Sequence, residues 1–461
     1  MKAIRDPDRL LSDGLAAIRE QFKVPQAFPP EVEAAAAEAA RRTPTEHADR
    51  TATRFVTLDP ASSTDLDQAF AIERAGADIV LHYAIADVAW FVPDAAPTDT
   101  EAWQRGTTTY LPDGKASLYP RVLSEQAASL LPDGDRPAVV FTSRIGPDGL
   151  ARLDSVERAL IRSRAKLAYE TARDDELPDG FAELAARIDA AGAARGSVRV
   201  DPPEQEVARG ADGRFHLSFR PFSPAEVRNA ALSLATNLAV GEALYSARTG
   251  LFRVMAEPDE RAVARLRGTA AAFGLDWPPQ VPLKDFEKHL DPANRQQAAF
   301  MLAVRRAGNG ASYEPYREDR RPWHAAMAAT YAHCTAPLRR LADRYVVRAA
   351  LAIANGQPVP EAVSAAFPRL PAVMAKAEAR DGQVERAVID GAEAAMLAGR
   401  EGEAFSAVVT DLGESGARIQ LCELPVVARV TAHGALPGTP LTVRLLSADP
   451  QRRQLSFKRI S

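Results

Sequence analysis

Cysteine is scarce in this chain, and its scarcity limits the kinds of protein that the chain can be. The 461 residues include only Cys334 and Cys422, which lie far apart in the sequence. Two such residues exclude a disulfide framework, and their neighbours show none of the spacings that are typical of metal sites. The composition therefore predicts a protein of the reducing cytoplasm.

Long apolar segments are also missing. No run of 18 apolar residues occurs, so no membrane-spanning helix is expected. The first residues, MKAIRDPDRLLSDGL, carry charges throughout and contain no apolar core, so we do not expect a secretory signal. Hydrophobic residues nevertheless make up 46% of the chain, which is enough for a large folded core.

An excess of positive charge is absent as well. Lysine and arginine number 57 against 61 acidic residues, which gives a formal net charge of −4. This balance excludes a protein that is coated in basic surface. A local basic groove remains compatible with it, and such a groove can bind the phosphates of a nucleic acid.

The chain is long enough for about three domains, and its patterns change twice along the sequence. Residues 1–44 read as two short helices, which form either a small helix-turn-helix unit or a helical arm packed on a neighbour. Residues 45–397 begin with strands and continue as helices. One of these strands, DIVLHYAIADVAWFV, is rich in Ile, Val, Tyr and Trp, as buried strands are. Residues 398–461 contain five short strands with glycine turns, which favours a small antiparallel barrel.

The stretch TLDPASSTDLDQAF places Asp59, Asp65 and Asp67 within nine residues and contains no lysine or arginine. Two carboxylates about 5 Å apart repel each other by roughly 3 kcal/mol at an effective dielectric of about 20. A divalent cation such as Mg²⁺ would reverse this repulsion, whereas an acidic surface turn would only let water screen it. A calcium loop is excluded, because the glycine and the closing glutamate that it requires are missing.

The stretch 335–355 predicts a helix with Thr335 as its N-cap and Gly356 after its end. Arg339 and Arg340 would then lie in the first turn, where free N–H groups and the helix dipole favour a phosphate. The alternative interpretation is a solvated ion pair between Arg339 and Asp343.

Several other residues have both a structural and a functional interpretation. Tyr110, in GTTTYLP, either packs half-buried or stacks on a base. His333 is either a core histidine or part of a site, and Glu385 would ordinarily be a helix-surface residue. Asn229 and Asn237 fall on the polar face of a predicted helix, which we expect to be solvated. The tail suits either single-stranded nucleic acid or solubility alone, with Phe457 among Arg452, Arg453, Lys458 and Arg459.

Taken together, these segments resemble the ribonuclease II / ribonuclease R family, whose catalytic unit is called the RNB domain. The resemblance runs in order through TLDPASSTDLDQAF, HYAIADVAWFV, RGTTTYLPDG, LIRSRAKLAYE and WHAAMAATYAHCTAPLRRLADRYVVRAAL. The end of the chain resembles the OB-fold RNA-binding domain named after ribosomal protein S-one. The implied fold is α+β, with a mixed α/β RNB catalytic domain over 45–397, a five-stranded OB-fold barrel over 398–461 and a small helical region over 1–44.

The resemblance also implies an activity, namely processive 3′-to-5′ hydrolysis of single-stranded RNA to nucleoside 5′-monophosphates with Mg²⁺. The implied metal ligands are Asp59, Asp65, Asp67 and Gln68. The implied catalytic residues are Asp67, Arg339, which steadies the scissile phosphate, and Glu385. The implied RNA-binding residues are Tyr110, which stacks on the 3′-terminal base, His333, Arg339, Arg340, Arg453 and Lys458. We expect a monomer that uses no small-molecule cofactor and no membrane.

Two features depart from the family's pattern. The family usually has a further aspartate directly after Asp67, where this chain has Gln68, whose amide brings no charge. The family also carries cold-shock OB domains before the catalytic unit, and the helical residues 1–44 cannot hold one, which indicates a short form. Two alternatives stay open, a catalytically impaired RNA-binding protein and a DNA exonuclease on the same fold.

Overall fold

The computed structural model describes residues 2–3, 10–132, 134–197, 204–210, 213–220, 222–291, 294–308, 310–413, 416–431 and 434–461. Its strands are β1 (Lys2–Ala3), β2 (Ala48–Asp49), β3 (Phe55–Asp59), β4 (Gln68–Ala75), β5 (Asp78–Ala86), β6 (Thr109–Leu111), β7 (Gly114–Ala116), β8 (Asp135–Ile145), β9 (Ala151–Ala168), β10 (Glu204–Arg209), β11 (Phe215–Arg220), β12 (Leu251–Met255), β13 (Ala311–Pro315), β14 (Ala404–Gly413), β15 (Gly416–Leu421), β16 (Val427–Val430), β17 (Pro440–Asp449) and β18 (Gln454–Arg459).

Its helices are α1 (Leu10–Gln21), α2 (Pro30–Ala39), α3 (Val88–Phe91), α4 (Pro97–Arg105), α5 (Phe181–Arg195), α6 (Pro224–Ser246), α7 (Glu260–Ala272), α8 (Leu283–Glu287), α9 (Arg295–Ala307), α10 (Leu341–Ala354), α11 (Glu361–Ala366) and α12 (Leu370–Leu397). A π-helical turn at Leu123–Ala127 and a 3₁₀ turn at Ala325–Met327 also occur. None of the helices in the described ranges is both long and apolar enough to span a bilayer.

The central sheet closes on itself. Its strand order is β2-β9-β3-β4-β5-β8, and β8 also pairs with the long strand β9, so that β9, β3, β4, β5 and β8 form a ring. Buried residues run continuously from Ile79 to Ala86 in β5, as expected for a strand covered on both faces. The strand predicted over DIVLHYAIADVAWFV ends earlier than we expected, because the Asp87 side chain accepts the Trp90 N–H and starts α3.

Helix α6 crosses this sheet, with α5 and α10 packed beside it. The expectation that Asn229 and Asn237 are solvated is wrong, because α6 is covered on both sides. The Asn229 amide donates to the Tyr169 hydroxyl at 2.9 Å, and the Asn237 oxygen accepts the Cys334 backbone N–H at 2.9 Å. Both asparagines therefore serve buried hydrogen bonds that tie α6 to neighbouring segments.

A buried ion pair joins α10 to α4. The Arg344 guanidinium, whose side chain is 1% exposed, binds the Asp99 carboxylate. The Tyr345 hydroxyl lies 2.8 Å from Arg344 Nη2 and accepts the Trp103 indole N–H at 2.7 Å. These bonds replace part of the water that the two charges lose on burial, since Nε and Nη1 of Arg344 have no hydrogen-bond partner among the described residues.

The C-terminal residues form the predicted five-stranded barrel. Its antiparallel order is β16-β15-β14-β17-β18, and β18 approaches β16, so the barrel is nearly closed. Its core contains Phe405, Ile419, Val443 and Phe457, and it also includes Leu397 at the end of α12. Helix α12 thus enters the barrel core directly, which fixes the barrel against the helical layer.

The N-terminal helices form within the predicted stretches but do not make a helix-turn-helix unit. Helix α1 packs on α12, where Leu15 and Ile18 contact the cluster that contains Val384 and Val388. Helix α2 packs instead on α4. The two helices are therefore an arm laid along the rest of the molecule. The three-domain boundaries stay a prediction.

Removing the partner of the buried Arg344 should destabilise the chain strongly. Asp99→Ala leaves a guanidinium in the core without its carboxylate, which typically costs about 3–5 kcal/mol. We expect a large fall in the thermal midpoint and in the free energy of unfolding by urea.

The matched control is Asp94→Ala, which removes the partner of Arg348 on the same helix. That pair is bidentate, at 2.5 and 2.7 Å, but lies at the surface, so its loss should cost at most about 1 kcal/mol. Equal losses in the two variants would contradict the role given to the buried pair.

Candidate active site

The aspartates of TLDPASSTDLDQAF meet because two antiparallel strands share one edge. Strand β3 ends at Asp59 and its neighbour β4 begins at Gln68. The connecting turn therefore carries Asp65 and Asp67 back to the edge at which Asp59 lies. The local pairing of strands explains the cluster before any ligand is considered.

Asp67 is the most buried member, at 5% exposure. Its Oδ1 accepts the backbone N–H of Leu338 at 2.7 Å, and its Oδ2 lies 3.2 Å from Arg339 Nε. Burial raises the pKa of the Asp67 carboxyl to about 7, although Arg339 and the Leu338 N–H both favour the ionised form.

Asp65 has partners that the sequence interpretation missed. The Lys115 ammonium lies 2.7 Å from Oδ1, and the Tyr110 hydroxyl donates to Oδ2 at 3.1 Å. Tyr110 and Lys115 pair directly across the hairpin of β6 and β7. The signal was the PDG turn between them, which brings a lysine outside the acidic stretch beside the tyrosine.

Asp59 completes the cluster at the end of β3. Burial raises the pKa of its carboxyl to about 6, and the neighbouring Asp65 charge adds to the rise, while Arg339 and Lys166 oppose it. Burial is thus the main reason that both Asp59 and Asp67 hold a proton more tightly than an exposed aspartate, and the charge of Asp65 adds to it.

Gln68 is held by hydrogen bonds at both ends of its amide. Its Nε2 donates to the Thr335 carbonyl at 2.6 Å, and its Oε1 accepts the Tyr83 hydroxyl at 2.5 Å. The Ser233 hydroxyl lies 3.4 Å from the same oxygen. The structure thus shows a bridge between β4 and the segment before α10, and the metal-ligand role of Gln68 stays a prediction.

The segment Gly106–Tyr110 carries the tyrosine into the site. Its backbone pairs with the segment before α10, since the Thr108 N–H donates to the Arg339 carbonyl at 3.0 Å. The hydroxyls of Thr107 and Thr109 each donate to the Asp381 carboxylate of α12 at 2.6 Å. The backbone around Tyr110 is therefore anchored, while the residue itself is 54% exposed.

The expected helix start is wrong. Helix α10 begins at Leu341, and the residues before it form a turn in which the Asp343 carboxylate accepts the Ala336 N–H at 2.8 Å. The expected alternative pairing is also wrong, because Asp343 binds Arg340 with two bonds of 3.0 and 2.7 Å. Arg339 is left to face Asp67, with its side chain 46% exposed.

His333 stands between two tyrosine rings. Its Nδ1 lies 3.0 Å from the Tyr313 hydroxyl, and its ring meets those of Tyr313 and Tyr331 edge-on. Burial holds the pKa of His333 well below its usual value, and Arg340 adds to the effect, so the ring is neutral at pH 7.

A cavity of about 1290 Å³ opens beside the cluster. Its polar wall near the aspartates includes Gln68, Tyr169, Asn229, His333 and Arg339. Other lining residues come from α5 to α9 and mix apolar side chains, such as Ile188 and Val304, with charged ones, such as Lys284 and Arg305. A chain of planar bases and charged phosphates could be accommodated by such a mixed lining.

The donor chemistry of the cluster fits Mg²⁺. This ion prefers carboxylate oxygens and usually takes one or two of them, together with waters and substrate phosphate. Across the described ranges, no three acidic, histidine or cysteine side chains are spaced to hold an ion by themselves. An ion here would therefore rest on few carboxylates, and Asp59 and Asp67 are the two whose pKa values burial raises.

Comparison with known protein families finds two matches along the chain. The RNB domain matches residues 48–355, and the RNase II-type exonuclease C-terminal S1 domain matches residues 403–460. The chain belongs to the RNB family. The resemblance seen in the sequence and the implied α+β fold are thereby confirmed.

Curated RNB relatives are similar over most of this chain. Ribonuclease R of Aquifex aeolicus (strain VF5) is 27% identical over 396 residues, which cover 80% of this chain and 55% of the relative. Exoribonuclease 2 of Enterobacter sp. (strain 638) is 27% identical over 419 residues, which cover 84% and 63%. The chain thus spans less than two thirds of the length of these relatives.

Solved structures share the RNB fold at low identity. Mycoplasma genitalium RNase R in complex with ribose methylated single-stranded RNA has a TM-score of 0.87 at 20% identity, covering 98% of this chain and 78% of that chain. Yeast Ssd1, a pseudonuclease, has a TM-score of 0.68 at 16% identity, covering 93% and 56%. These likenesses establish the fold alone, and a pseudonuclease shares it.

Three predicted residues lie outside the aspartate cluster of this RNB domain. Glu385, on α12, lines a separate recess of about 190 Å³ between that helix and the barrel. The Arg453 guanidinium contacts the Gln21 carboxamide of α1, and Lys458 is exposed on β18 opposite Arg444. Their roles in catalysis and RNA binding stay predictions.

The buried Asp67 carboxyl predicts a pH-dependent cost to folding when metal is chelated. Its pKa is about 7 in the folded chain against 3.8 ordinarily, so the folded state binds the proton more tightly than the unfolded state. The group's contribution to stability is complete below about pH 4 and is lost as the pH rises to about 7. In EDTA, Asp67→Asn should gain thermal stability over the parent chain as the pH rises from about 5 to about 8.

The control for this titration is Asp94→Asn. A hydrogen bond from Arg348 lowers the pKa of Asp94, so its stabilising contribution is present at neutral pH and disappears only in acid. This variant should lose a little stability, equally at about pH 5 and about pH 8. A pH-independent difference between Asp67→Asn and the parent chain would contradict the raised pKa.

Proposed function

We propose that this RNB chain is a processive exoribonuclease that hydrolyses single-stranded RNA from its 3′ end, releases nucleoside 5′-monophosphates and depends on Mg²⁺. The observation that carries the proposal is the convergence of three distant segments, which brings Asp67, Tyr110 and Arg339 together beside a large cavity. The names of the curated relatives support the same activity.

The aspartates would hold the ion in this proposal. Asp59 and Asp67 are its main ligands, and Asp65 stands beside them. Bound Mg²⁺ would polarise a phosphoryl oxygen and lower the pKa of the attacking water. The chain itself contributes a desolvated acidic recess in which the Leu338 N–H orients the Asp67 carboxylate.

Arg339 is the phosphate-binding residue of the proposal. It touches Asp67 through Nε and is half exposed, so its guanidinium adjoins both the carboxylates and the space of the cavity. A guanidinium donates to a phosphate in bidentate fashion and stabilises the charge that develops on the phosphoryl oxygens. Arg340 cannot take this task, because Asp343 already holds it.

Tyr110 would stack on the base at the 3′ end. Its ring is exposed while its hydroxyl is anchored on Asp65, so the ring plane has a defined orientation beside the carboxylates. Stacking on an aromatic face tolerates any base, which suits an enzyme that removes successive nucleotides.

The remaining RNA contacts of the proposal are spread along the cavity and the barrel. His333 and Arg340 line the cavity, and Lys458 is exposed on the barrel. For Arg453 and Glu385, the support is the sequence resemblance alone. We further propose a cytoplasmic monomer, and the two free thiols, Cys334 and Cys422, agree with a reducing compartment.

A catalytically impaired RNA-binding protein is the second candidate. Two observations favour it: Gln68 carries no charge and is engaged at both ends, and Lys115 and Arg339 already pair with two of the carboxylates. It would bind RNA in a salt-dependent manner but leave it intact in both Mg²⁺ and Mn²⁺.

RNA cleavage by the parent chain separates these candidates, and Asp67→Asn tests the metal-site assignment. We expect the parent chain to shorten a 5′-labelled single-stranded RNA from its 3′ end in Mg²⁺, with nucleoside 5′-monophosphates as products. Losing Asp67 should reduce the rate at least about 10²–10³-fold, with RNA binding nearly unchanged. Gel analysis of the shortened RNA, chromatography of the products and a filter-binding assay provide the three measurements.

Asp94→Asn, which removes a surface carboxylate, should cleave at the parental rate. A DNA oligomer of equal sequence tests the alternative of a DNA exonuclease, because an enzyme distinguishes RNA from DNA through contacts to the 2′-hydroxyl. Equal degradation of DNA would assign the chain to that alternative, and Asp67→Asn turnover close to the parental rate would reject the metal-site assignment.

Arg339→Lys should lose catalytic rate, whereas Arg340→Lys should lose thermal stability. Lysine cannot bind a phosphate bidentately, so Arg339→Lys should slow the chemical step while leaving the thermal midpoint unchanged. Arg340→Lys removes the bidentate pair of hydrogen bonds to the buried Asp343 and should lower the thermal midpoint. Single-turnover kinetics and thermal melts of both variants check this, and a large melting loss in Arg339→Lys would refute the phosphate role.

A further inference from the structure

Lys115 gives Asp65 a permanent positive partner. Its ammonium lies 2.7 Å from Asp65 Oδ1 and 3.3 Å from Glu125 Oε1, so one cation serves two carboxylates. The side chains of Lys115, Asp65 and Glu125 are 17%, 9% and 11% exposed. Water therefore screens this arrangement weakly, and the pairing is stronger than a surface ion pair.

The hairpin that carries Lys115 is held in place. Tyr110 pairs with Lys115 across β6 and β7, and its hydroxyl donates to the second Asp65 oxygen. Thr109, beside Tyr110, is bound to Asp381. Both oxygens of Asp65 are thus engaged by one anchored hairpin, which leaves Asp65 poorly placed to serve a metal ion.

Gln68, the remaining candidate ligand beside the three aspartates, has a neutral side chain. Gln68 donates to the Thr335 carbonyl and accepts from Tyr83, so its amide is committed to the fold. Asp59 and Asp67 remain of the four candidate ligands. Both oxygens of Asp67 also have partners, the Leu338 N–H and Arg339 Nε, but the Arg339 side chain is 46% exposed, whereas that of Lys115 is 17% exposed. The partner of Asp67, Arg339, is half exposed and lies where a substrate phosphate can compete for it.

We propose that Lys115 supplies the positive charge that a second divalent ion would otherwise bring to Asp65, so that this site holds a single divalent ion at Asp59 and Asp67. Lys115 is then a positioning residue: it keeps Asp65 in place and, through Asp65, orients Tyr110. The inference rests on the proposed function, since it concerns the metal requirement of the same site.

Mn²⁺ is a suitable probe, because electron paramagnetic resonance counts the unbound ion without any RNA present. The parent chain should bind one Mn²⁺. Lys115→Met frees Asp65 and removes a neighbouring positive charge, so a second Mn²⁺ should bind at least about tenfold more tightly than any second ion in the parent chain. Lys115→Arg, which keeps the charge, should again bind one.

Lys288→Met is the matched control, because it removes an exposed lysine that pairs with Asp285 on the surface. It should bind Mn²⁺ as the parent chain does. Two ions bound to the parent chain would overturn the inference, and this measurement does not depend on the folding of any variant. Unchanged ion binding in Lys115→Met would overturn it as well. The ion count is independent of cleavage: an RNA-degrading chain that binds two ions refutes the inference alone, whereas a chain with one ion and no nuclease activity refutes the proposed function alone.

Discussion

The burial of the Asp67 carboxylate is the constraint on which the rest of the site depends. A carboxylate removed from water requires hydrogen bonds or a cation, and Asp67 obtains both from a segment 271 residues further along the chain. The N–H of Leu338 and the guanidinium of Arg339 reach it only if the turn before α10 packs against the edge of β3 and β4. The acidic edge therefore needs the basic turn beside it, and burial raises the pKa of Asp67 to about 7 even with both partners in place.

A second set of contacts joins the aromatic hairpin to the same centre. The Thr108 backbone N–H donates to the Arg339 carbonyl, while the hydroxyls of Thr107 and Thr109 donate hydrogen bonds to the Asp381 carboxylate on α12. Helix α12 continues into the barrel core at Leu397. One helix thus contacts both the segment that carries Tyr110 and the barrel.

Where local sequence reasoning failed, a tertiary partner outweighed a local preference. Thr335 suits an N-cap, but its segment pairs with Gly106–Thr108 and Asp343 reaches back to Ala336, so α10 begins later. Asn229 looked solvated because helical periodicity reveals which side chains share a face, not what covers that face. Lys115 was missed because it lies outside the acidic stretch, and only the hairpin brings it to Asp65.

The sequence by itself determined the family, the α+β fold, the five-stranded barrel and the acidic stretch, because ordered motifs, strand periodicity and like charges are local properties of the chain. The tertiary structure decided which cation serves which carboxylate: Arg339 with Asp67, Arg340 with Asp343 and Lys115 with Asp65. Ion pairing depends on distance and burial in space, and residues adjacent in sequence, such as Arg339 and Arg340, point to different partners once the backbone turns.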